Sequence, residues 1–291
     1  MRILIAGSSG LVGVALCEHL TLLGHEVIPL TRGLGGWSPE HGELDTHRIK
    51  GSDAVVHLGG AGIAAKRWTD DYKKQIRNSR VNSTKLLASR MAQMRDKPKV
   101  FVVASAVGFY GSRGADLLDE SATSGEGFLA QVGQDWEAAA DQARDAGIRV
   151  VHTRLGMVLD RKGGALAKMH LPFKLGLGGI VGNGEQYWSW ISLRDAVRSI
   201  THVLQNENVA GPVNVVAPHA VTCYEFVKIL GVVLRRPTIC PVPAFALRMM
   251  MGQMADELLL ASTRVDPKVL RQTGFTFDYP QLSDALQAAL Q

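Results

Sequence analysis

The first thirteen residues constrain the fold of this chain most. Arg2–Ala6 is a short apolar run that leads directly into Gly7-Ser8-Ser9-Gly10-Leu11-Val12-Gly13, and Val12–Leu23 then carries apolar residues at helical spacing. A buried strand, a GxxGxxG turn and an amphipathic helix in this order are typical of the phosphate-binding corner of a dinucleotide-binding fold. An ordinary strand-to-helix turn is the alternative.

Each glycine of the turn has its own physical reason. Gly7 permits a tight turn, Gly10 lets the backbone approach a pyrophosphate, and Gly13 permits close packing of the helix on the strand. The helix N-terminus supplies free N–H groups and a partial positive charge. The motif therefore predicts a dinucleotide site at the start of the chain.

Strand and helix signals alternate through the first two thirds of the chain. The predicted strands are Arg2–Ala6, Glu26–Leu30, Asp53–Leu58, Lys99–Ser105, Arg149–Leu155 and Pro212–Val216, and the predicted helices are Val12–Leu23, Asp70–Met94 and Gln134–Ala146. This order predicts an α/β fold, a Rossmann doubly wound parallel sheet. A glycine-rich insertion follows at about 163–190, and the chain is mostly helical after Pro218. We expect a nucleotide-binding domain over 1–217 and a smaller, mostly helical C-terminal lobe over 218–291.

The residue after the second strand indicates which cofactor binds. NAD-binding folds usually place an acidic residue here for the ribose 2′-hydroxyl, whereas this chain has Thr31-Arg32. A guanidinium can bind a 2′-phosphate with two hydrogen bonds, which favours NADP(H). A surface arginine at the end of a strand is the alternative.

The composition of the chain limits the classes of partner that it can bind. The net charge of +5 is spread through a chain that is 46% hydrophobic and 20% charged, so we expect a globular protein without a nucleic-acid partner. No apolar run is long enough to span a bilayer, and we expect no membrane partner. Three cysteines without a CxxC motif fit a reducing compartment, and we expect a cytoplasmic protein. The histidines show no metal-binding spacing, so no metal is expected.

Motifs along the whole chain resemble those of the extended short-chain dehydrogenase/reductase family. More narrowly, they resemble its atypical branch of NAD-dependent epimerase/dehydratase-like "epimerase family proteins", which have their own C-terminal domain. The matching motifs are Asp53-Ala-Val-Val-His-Leu-Gly-Gly60, Arg67-Trp-Thr69, Ser79-Arg-Val81, Ser105-Ala-Val-Gly-Phe-Tyr-Gly111, Trp136-Glu-Ala138, Arg154-Leu-Gly-Met-Val-Leu159, Leu171-Pro-Phe-Lys-Leu-Gly-Leu-Gly-Gly179, Trp188-Ser-Trp-Ile191 and Pro241-Val-Pro-Ala-Phe245.

The resemblance implies a set of cofactor contacts spread over four strand ends and one helix. They are Gly7, Ser9, Gly10, Leu11, Val12, Gly13, Thr31, Arg32, Leu58, Gly59, Gln75, Arg80 and Met157. Arg80 is the informative member, because a second cation near the cofactor would suit a phosphate. A helix-surface arginine is the alternative for that position.

The resemblance also exposes a departure in the catalytic machinery. Family members use a Tyr-xxx-Lys pair, in which the lysine lowers the tyrosine pKa so that the phenol can exchange a proton. The pair belongs on the segment Phe128–Trp136, which has neither residue. Ser105 and Tyr110 remain as catalytic candidates. We interpret the one literal match, Tyr224–Lys228, as chance.

Three further features each leave two interpretations. Trp188 and Trp190 are either an aromatic wall for a substrate or core packing, which is favoured. The glycine-rich stretch 176–184 is either a mobile lid or a connecting loop. Met249, Met250, Met251 and Met254 form a flexible helix face, expected to pack in a core or a dimer.

The sequence thus leaves two hypotheses for function. The first is an NADP(H)-dependent oxidoreductase or epimerase-like enzyme that acts on a small polar substrate, including sugar-type molecules, and that could be a homodimer. The second is a non-catalytic NADP(H)-binding sensor or regulator. The intact glycine turn supports cofactor binding in both, while the lost Tyr-xxx-Lys pair favours the second.

Overall fold

A computed structural model of the chain describes residues 1–33 and 37–291. Its strands are β1 Arg2–Ala6, β2 Glu26–Leu30, β3 Trp37–Ser38, β4 Glu43–Leu44, β5 Ala54–His57, β6 Val100–Ala106, β7 Leu117–Leu118, β8 Arg149–Leu155, β9 Met157–Leu159, β10 Tyr187–Trp188, β11 Trp190–Ser192, β12 Gly211–Val215, β13 Val221–Thr222 and β14 Arg264–Val265. Its helices are α1 Leu11–Leu22, α2 Asp70–Ala92, α3 Phe128–Ala138, α4 Asp141–Asp145, α5 Gly164–Lys174, α6 Leu193–Gln205, α7 Cys223–Leu234, α8 Ala244–Met251, α9 Gln253–Leu258, α10 Lys268–Gln272 and α11 Leu282–Leu290.

Six strands form the main sheet in the order β12-β8-β6-β5-β1-β2. The pairs of β2 with β1, β1 with β5 and β5 with β6 are parallel. The chain runs from β1 outward to β2 and then returns to the other side of β1 at β5, so the strand order reverses between β1 and β5. Ligands of open α/β sheets bind at the carboxyl ends of the strands at such a reversal.

The central strands β1 and β5 of this sheet are buried on both faces, as the predicted Rossmann fold requires. Ile3, Leu4 and Ile5 of β1 are fully buried, and so are Val55 and Val56 of β5. Alternation is absent because helices cover both faces of the sheet. Pro29 lies in β2 at the sheet edge, where a proline removes no ladder bond from the sheet interior.

The chain divides into two compact units that interleave along the sequence. Unit 1 comprises Met1–Ser105, Val132–Thr153 and Val197–Val213, and unit 2 comprises Ala106–Gln131, Arg154–Ala196 and Asn214–Gln291. Each unit therefore contains three separate stretches of the sequence, and no single position in the chain divides the two. The division at 217/218 stays a prediction.

The core of unit 2 decides the interpretation of the two tryptophans. Trp188 and Trp190 both belong to its main hydrophobic cluster, with Phe226 and Leu230. Their indole N–H groups donate to the carbonyls of Leu259 (3.2 Å) and His219 (2.9 Å), both within unit 2. They are therefore core residues, as favoured above.

The glycine-rich stretch is held in place within unit 2. Cys240 N donates to Gly178 O, Val242 N to Ile180 O, and Gly182 N to Val242 O. A Cβ on Gly179 would lie 1.9 Å from Cys240 O, so this strand-like pairing needs a glycine there. The geometry favours a connecting segment over a mobile lid.

Among the described residues, the helices are all too short or too polar to cross a lipid bilayer. The same residues contain no cluster of three or more histidine, cysteine, aspartate or glutamate side chains that could hold a metal ion.

Candidate cofactor site

The turn after β1 has the geometry that its glycines predict. Gly7 has a φ of +85°, and a Cβ there would lie 2.6 Å from Gly59 N. A Cβ on Gly13 would lie 2.1 Å from Gly7 O. The protein's own backbone therefore requires both glycines, one for the left-handed turn and one for the contact of helix α1 with the turn.

Gly10 differs from its two neighbours in the motif. It is the N-cap of α1 with φ −78° and ψ 169°, and a Cβ there would approach only Gly7 O, at 3.4 Å. No side chain caps α1, and its first turn contains no acidic residue. Nothing in the described protein around Gly10 requires a glycine, while the uncapped N–H groups suit an anionic ligand that approaches there.

A second loop, after β5, lies against the first. Gly59 N donates to His57 Nδ1 at 3.4 Å, and Ala61 N donates to Ser79 Oγ at 2.9 Å. The second bond ties the loop to helix α2. The two loops follow β1 and β5, the strands at which the order of the sheet reverses.

His57 links this loop to α2 from inside unit 1. It is 1% exposed, and its Nε2 lies 2.7 Å from Ser83 Oγ. Because Nδ1 accepts from Gly59 N, the network assigns the proton to Nε2, which donates to Ser83. Burial, reinforced by the charges of Arg32 and Arg80, lowers the pKa of His57 to about 3. The imidazole is therefore neutral at physiological pH.

Arg80 is the second cation of this region. Its guanidinium lies over the Trp136 ring at 5.1 Å from the centroid, and its Nη1 donates to Ile76 O at 3.0 Å. A Cβ on Gly60 would lie 3.0 Å from Arg80 Cζ, so the guanidinium lies against the β5 loop. Burial lowers the pKa of Arg80 to about 10, which leaves it protonated at neutral pH.

Within residues 1–33 and 37–291, no carboxylate pairs with Arg80. A partly buried cation without a counter-ion is costly unless an anion completes the site. The side chain is also held by a stacking contact and a backbone bond, so its orientation is fixed before any ligand binds. These features fit a phosphate ligand better than a helix-surface arginine.

Arg32 follows β2, as the sequence predicts, and is exposed. Its one ion pair among the described residues is with Glu40, at 3.8 Å between two solvent-exposed side chains. Pairs of this kind contribute about 0–1 kcal/mol, so a stronger anion can displace the glutamate. The charges of Arg32 and Arg80 both act on His57, which places the two guanidinium groups on one region of unit 1.

Ser105, the predicted catalytic serine, has a partner that the sequence analysis missed. It is 1% exposed, and its Oγ donates to Glu137 Oε1 at 2.7 Å. In this conformation the Ser105 hydroxyl donates its proton to the Glu137 carboxylate. The Ser105 side chain would therefore have to rotate to donate to a substrate oxygen. Trp136-Glu137-Ala138 was a family motif, but nothing in its spacing indicated this hydrogen bond.

Tyr110 does not have the surroundings of a proton donor to substrate. It is fully buried in unit 2, its hydroxyl donates to Asn214 Oδ1 at 2.7 Å, and it accepts from Arg154 Nη1 at 2.9 Å. Burial raises its pKa, although Arg154 opposes that shift. The geometry argues against a catalytic role for Tyr110, because its hydroxyl is already hydrogen-bonded to buried Asn214 and Arg154.

Helix α3 has no tyrosine or lysine, so the departure from the family's catalytic pair stands. The Tyr224–Lys228 match begins α7, where the Lys228 ammonium lies 5.5 Å from the Tyr224 ring centroid. Phe226 and Leu230 of the same helix are buried, as expected. The match is an exposed helix pair, with nothing around it that indicates catalysis.

The other predicted contacts occupy varied positions. Thr31 is exposed after β2, Gln75 is exposed on α2, and Leu58 is half-buried in the β5 loop. Met157 lies in β9 of unit 2, where its N–H donates to Ser189 O at 2.8 Å. Each of these stays a prediction, as do the contacts at Ser9, Leu11 and Val12.

Together, the reversed strand order, the glycine turn and the two cations define a Rossmann-type dinucleotide-binding protein. Residues 3–217 match the NAD dependent epimerase/dehydratase family. The chain belongs to this family, and the predicted resemblance is confirmed. Residues 242–289 match a domain of unknown function, DUF1731, which corresponds to the C-terminal domain expected from the resemblance.

Relatives cover the whole chain. An epimerase family protein of Mycobacterium leprae is 40% identical, over 98% of this chain and 94% of its own. The crystal structure of human epimerase family protein SDR39U1 (isoform 2) with NADPH has a TM-score of 0.92 and 34% identity, covering 99% of both chains. A nucleoside-diphosphate sugar epimerase from Corynebacterium glutamicum has a TM-score of 0.82 and 35% identity, over all of this chain and 58% of its own.

Proposed function

We propose that this protein binds NADP(H) in unit 1, at the glycine turn and the β5 loop. The observation that carries the proposal is Arg80, a fixed and carboxylate-free guanidinium beside the glycine-lined loops. Arg32 adds a second cation where a 2′-phosphate would be recognised. The human relative of the same family, crystallised with NADPH, supports the same assignment.

Different residues of the chain would bind different parts of the cofactor. The N-terminal N–H groups of α1 would hold the pyrophosphate, and Gly10 would give it room. His57 would hold the β5 loop in place without adding charge, because it is neutral. Once bound, the nicotinamide nucleotide would supply a hydride donor or acceptor.

A titration with NADPH tests this proposal, with fluorescence or calorimetry as the readout. Arg80→Gln should bind NADPH at least about tenfold more weakly, because it loses a charge-assisted contact. Arg77→Gln is the matched control, since Arg77 lies on the same helix and pairs with half-buried Asp135 at 2.6 Å. If Arg80→Gln binds as tightly as the control, Arg80 does not hold the cofactor.

For activity, we propose an oxidoreductase or epimerase-like reaction on a small polar substrate, including sugar-type molecules. Family membership and the partly buried Ser105–Glu137 pair support it. The proton would not come from a Tyr-xxx-Lys pair, so the reaction would need substrate or solvent as its proton source. Incubation of the protein with NADPH and carbonyl compounds, or with NADP⁺ and nucleotide sugars, should show turnover, and Ser105→Ala should reduce it.

A non-catalytic NADP(H) sensor is the second candidate, and the absence of tyrosine and lysine from α3 favours it. A sensor should turn over none of these substrates but should distinguish NADPH from NADP⁺ in affinity. Measuring both dissociation constants alongside the turnover assay separates the two candidates. Turnover that Ser105→Ala abolishes would exclude the sensor.

A further inference from the structure

The net positive charge of this chain comes from two segments of unit 2, residues 161–184 and 226–255. They hold eight of the 32 lysines and arginines and none of the 27 acidic residues. The rest of the chain is therefore slightly acidic. The excess of positive charge, which appears scattered along the whole sequence, thus belongs to these two segments.

The same two segments carry exposed apolar side chains. Large hydrophobic residues in them are 60–77% exposed, namely Leu171, Leu175, Leu177, Val232, Ile239, Phe245, Met249 and Met250. Single exposed hydrophobic residues are ordinary on protein surfaces, but a grouped set marks an interaction site. Met249 and Met250 are thus not core residues, although Met254 is buried, as expected.

One side-chain and one backbone hydrogen bond hold the two segments together. Arg236 Nε donates to Lys174 O at 2.8 Å, and Cys240 N donates to Gly178 O at 3.2 Å. The end of α5 and the segment that leads into α8 are therefore neighbours. We call the exposed set formed by Leu171, Lys174, Leu175, Leu177, Arg235, Arg236, Ile239, Phe245 and Met249 the basic apolar surface.

Arg235 has an unusual backbone on this surface. It ends α7 with a φ of 54°, and no other non-glycine residue among the described ones has a positive φ. Glycine or asparagine would adopt this conformation at lower cost. The sequence places an exposed cation there instead, beside Arg236.

We propose that the basic apolar surface binds the surface of an anionic lipid bilayer. Peripheral membrane sites combine apolar side chains that enter the headgroup boundary with lysines and arginines that face anionic headgroups. Phe245 and Met249 lie one turn apart on α8 and both point outward. Lys174 and Arg235 are exposed on the same two segments, which contain no acidic residue; Asp256, just beyond them, pairs with Arg248 of α8.

The apolar component favours lipid over nucleic acid. Leucine, isoleucine and methionine dominate the surface, whereas single-stranded nucleic acids are held by aromatic stacking and duplexes by polar contacts to phosphate. The expectation of no membrane partner rested on the lack of a spanning apolar run, and a peripheral surface does not need one. This inference is independent of the cofactor proposal, which concerns unit 1.

Vesicle sedimentation with the full chain tests the proposal. The protein should sediment with phosphatidylserine–phosphatidylcholine vesicles and at least about tenfold less with phosphatidylcholine alone, and 0.5 M salt should weaken binding. Lys174→Gln with Arg235→Asn should lower partitioning about fivefold for each charge. Asparagine suits the left-handed backbone at 235, so the fold is preserved.

A second variant and two controls complete the design. Phe245→Gln with Met249→Gln should also lose binding, because it removes the apolar contact and keeps the charge. Lys85→Gln with Arg95→Gln removes two exposed charges of unit 1 and should bind as wild type, as should Leu22→Gln. Unchanged NADPH binding would show that each variant is folded.

Three results would overturn the proposal. The first is failure of the wild-type protein to sediment with anionic vesicles. The second is equal loss in the control variants, which would indicate non-specific charge attraction. The third is that the wild-type protein does not bind vesicles but has another partner for this surface. That partner would be an oligonucleotide if the protein binds one, or a second copy of the chain if Phe245→Gln with Met249→Gln converts a dimer to a monomer.

Discussion

At the scale of single residues, the glycine turn contains two kinds of glycine. Gly13 is required by the protein's own packing, because a Cβ there would lie 2.1 Å from Gly7 O. Gly10 has an ordinary φ and room for a methyl group. The described fold therefore does not require a glycine at position 10, whereas the proposed cofactor would.

This difference predicts opposite effects of two alanine substitutions. Gly13→Ala should lower the free energy of unfolding by about 1–3 kcal/mol, since the backbone must shift to admit the methyl group. Gly10→Ala should change stability by less than about 1 kcal/mol, yet weaken NADPH binding at least about tenfold. Denaturant unfolding and an NADPH titration measure the two effects. Normal NADPH affinity in folded Gly10→Ala would contradict the role given to the turn.

His57 predicts a pH dependence of stability. Its pKa is lowered to about 3 in the folded protein, from about 6.5 when unfolded, because burial disfavours the imidazolium. The unfolded state then binds the proton more readily, so the stabilisation is complete above pH 6.5 and is lost as the pH falls toward 3. We expect a loss of about 1.4 kcal/mol for each pH unit between pH 6 and pH 4.

The His57→Gln variant isolates this effect from other titrating groups. Urea unfolding of both proteins at several pH values gives the two slopes, and only their difference is assigned to His57. The variant should lose the steep part of the slope below pH 6. Parallel pH profiles for the two proteins would mean that His57 is not held neutral in the fold.

At the scale of elements, the N-terminus of α3 is capped from a distant part of unit 2. Glu257 Oε1 accepts from Phe128 N at 3.0 Å, and Oε2 accepts from Leu129 N at 2.7 Å. Glu257 lies within 242–289, the region that matches the domain of unknown function. One role of this region is therefore to fix the start of the helix that carries the catalytic pair in other family members.

Removing this cap should destabilise the protein. Glu257→Ala should cost about 2 kcal/mol in thermal or denaturant unfolding, because two backbone N–H groups at a helix N-terminus lose a charged acceptor. Glu257→Gln should cost less. Asp256→Ala is the control, since it breaks only the exposed pair with Arg248 and should cost less than about 1 kcal/mol. Equal losses in the Glu257→Ala and Asp256→Ala variants would contradict the capping role.

Most elements of the nucleotide-binding fold could be predicted from local pattern. β1, β2 and β8 have the predicted limits, because buried strands end sharply at glycine or polar residues. The predicted helix Gln134–Ala146 was wrong in extent, since α3 starts at Phe128 and a break after Ala138 separates it from α4. Its early start depends on Glu257, a contact from a distant part of the sequence that periodicity cannot reveal.

At the scale of the whole molecule, the cofactor turn and the doubly wound α/β fold followed from the sequence, whereas several side-chain roles did not. Arg80 was predicted as a contact, but its stacking on Trp136 required α2 and α3 to be placed. The Ser105–Glu137 bond and the burial of Tyr110 likewise depend on residues far apart in the chain. The local concentration of basic charge appeared only when 161–184 and 226–255 were seen to be neighbours.

The central proposal is that Arg80 and Arg32 hold the phosphates of NADP(H), with Arg32 at the 2′-phosphate. Parallel titrations of the wild-type protein and Arg32→Gln with NADPH and NADH test it most directly. We predict that the wild type binds NADPH at least about tenfold more tightly than NADH, because a charged hydrogen bond contributes about 1.5–3 kcal/mol. Arg32→Gln should lose most of that preference. Equal affinity of the wild type for NADPH and NADH would contradict the account.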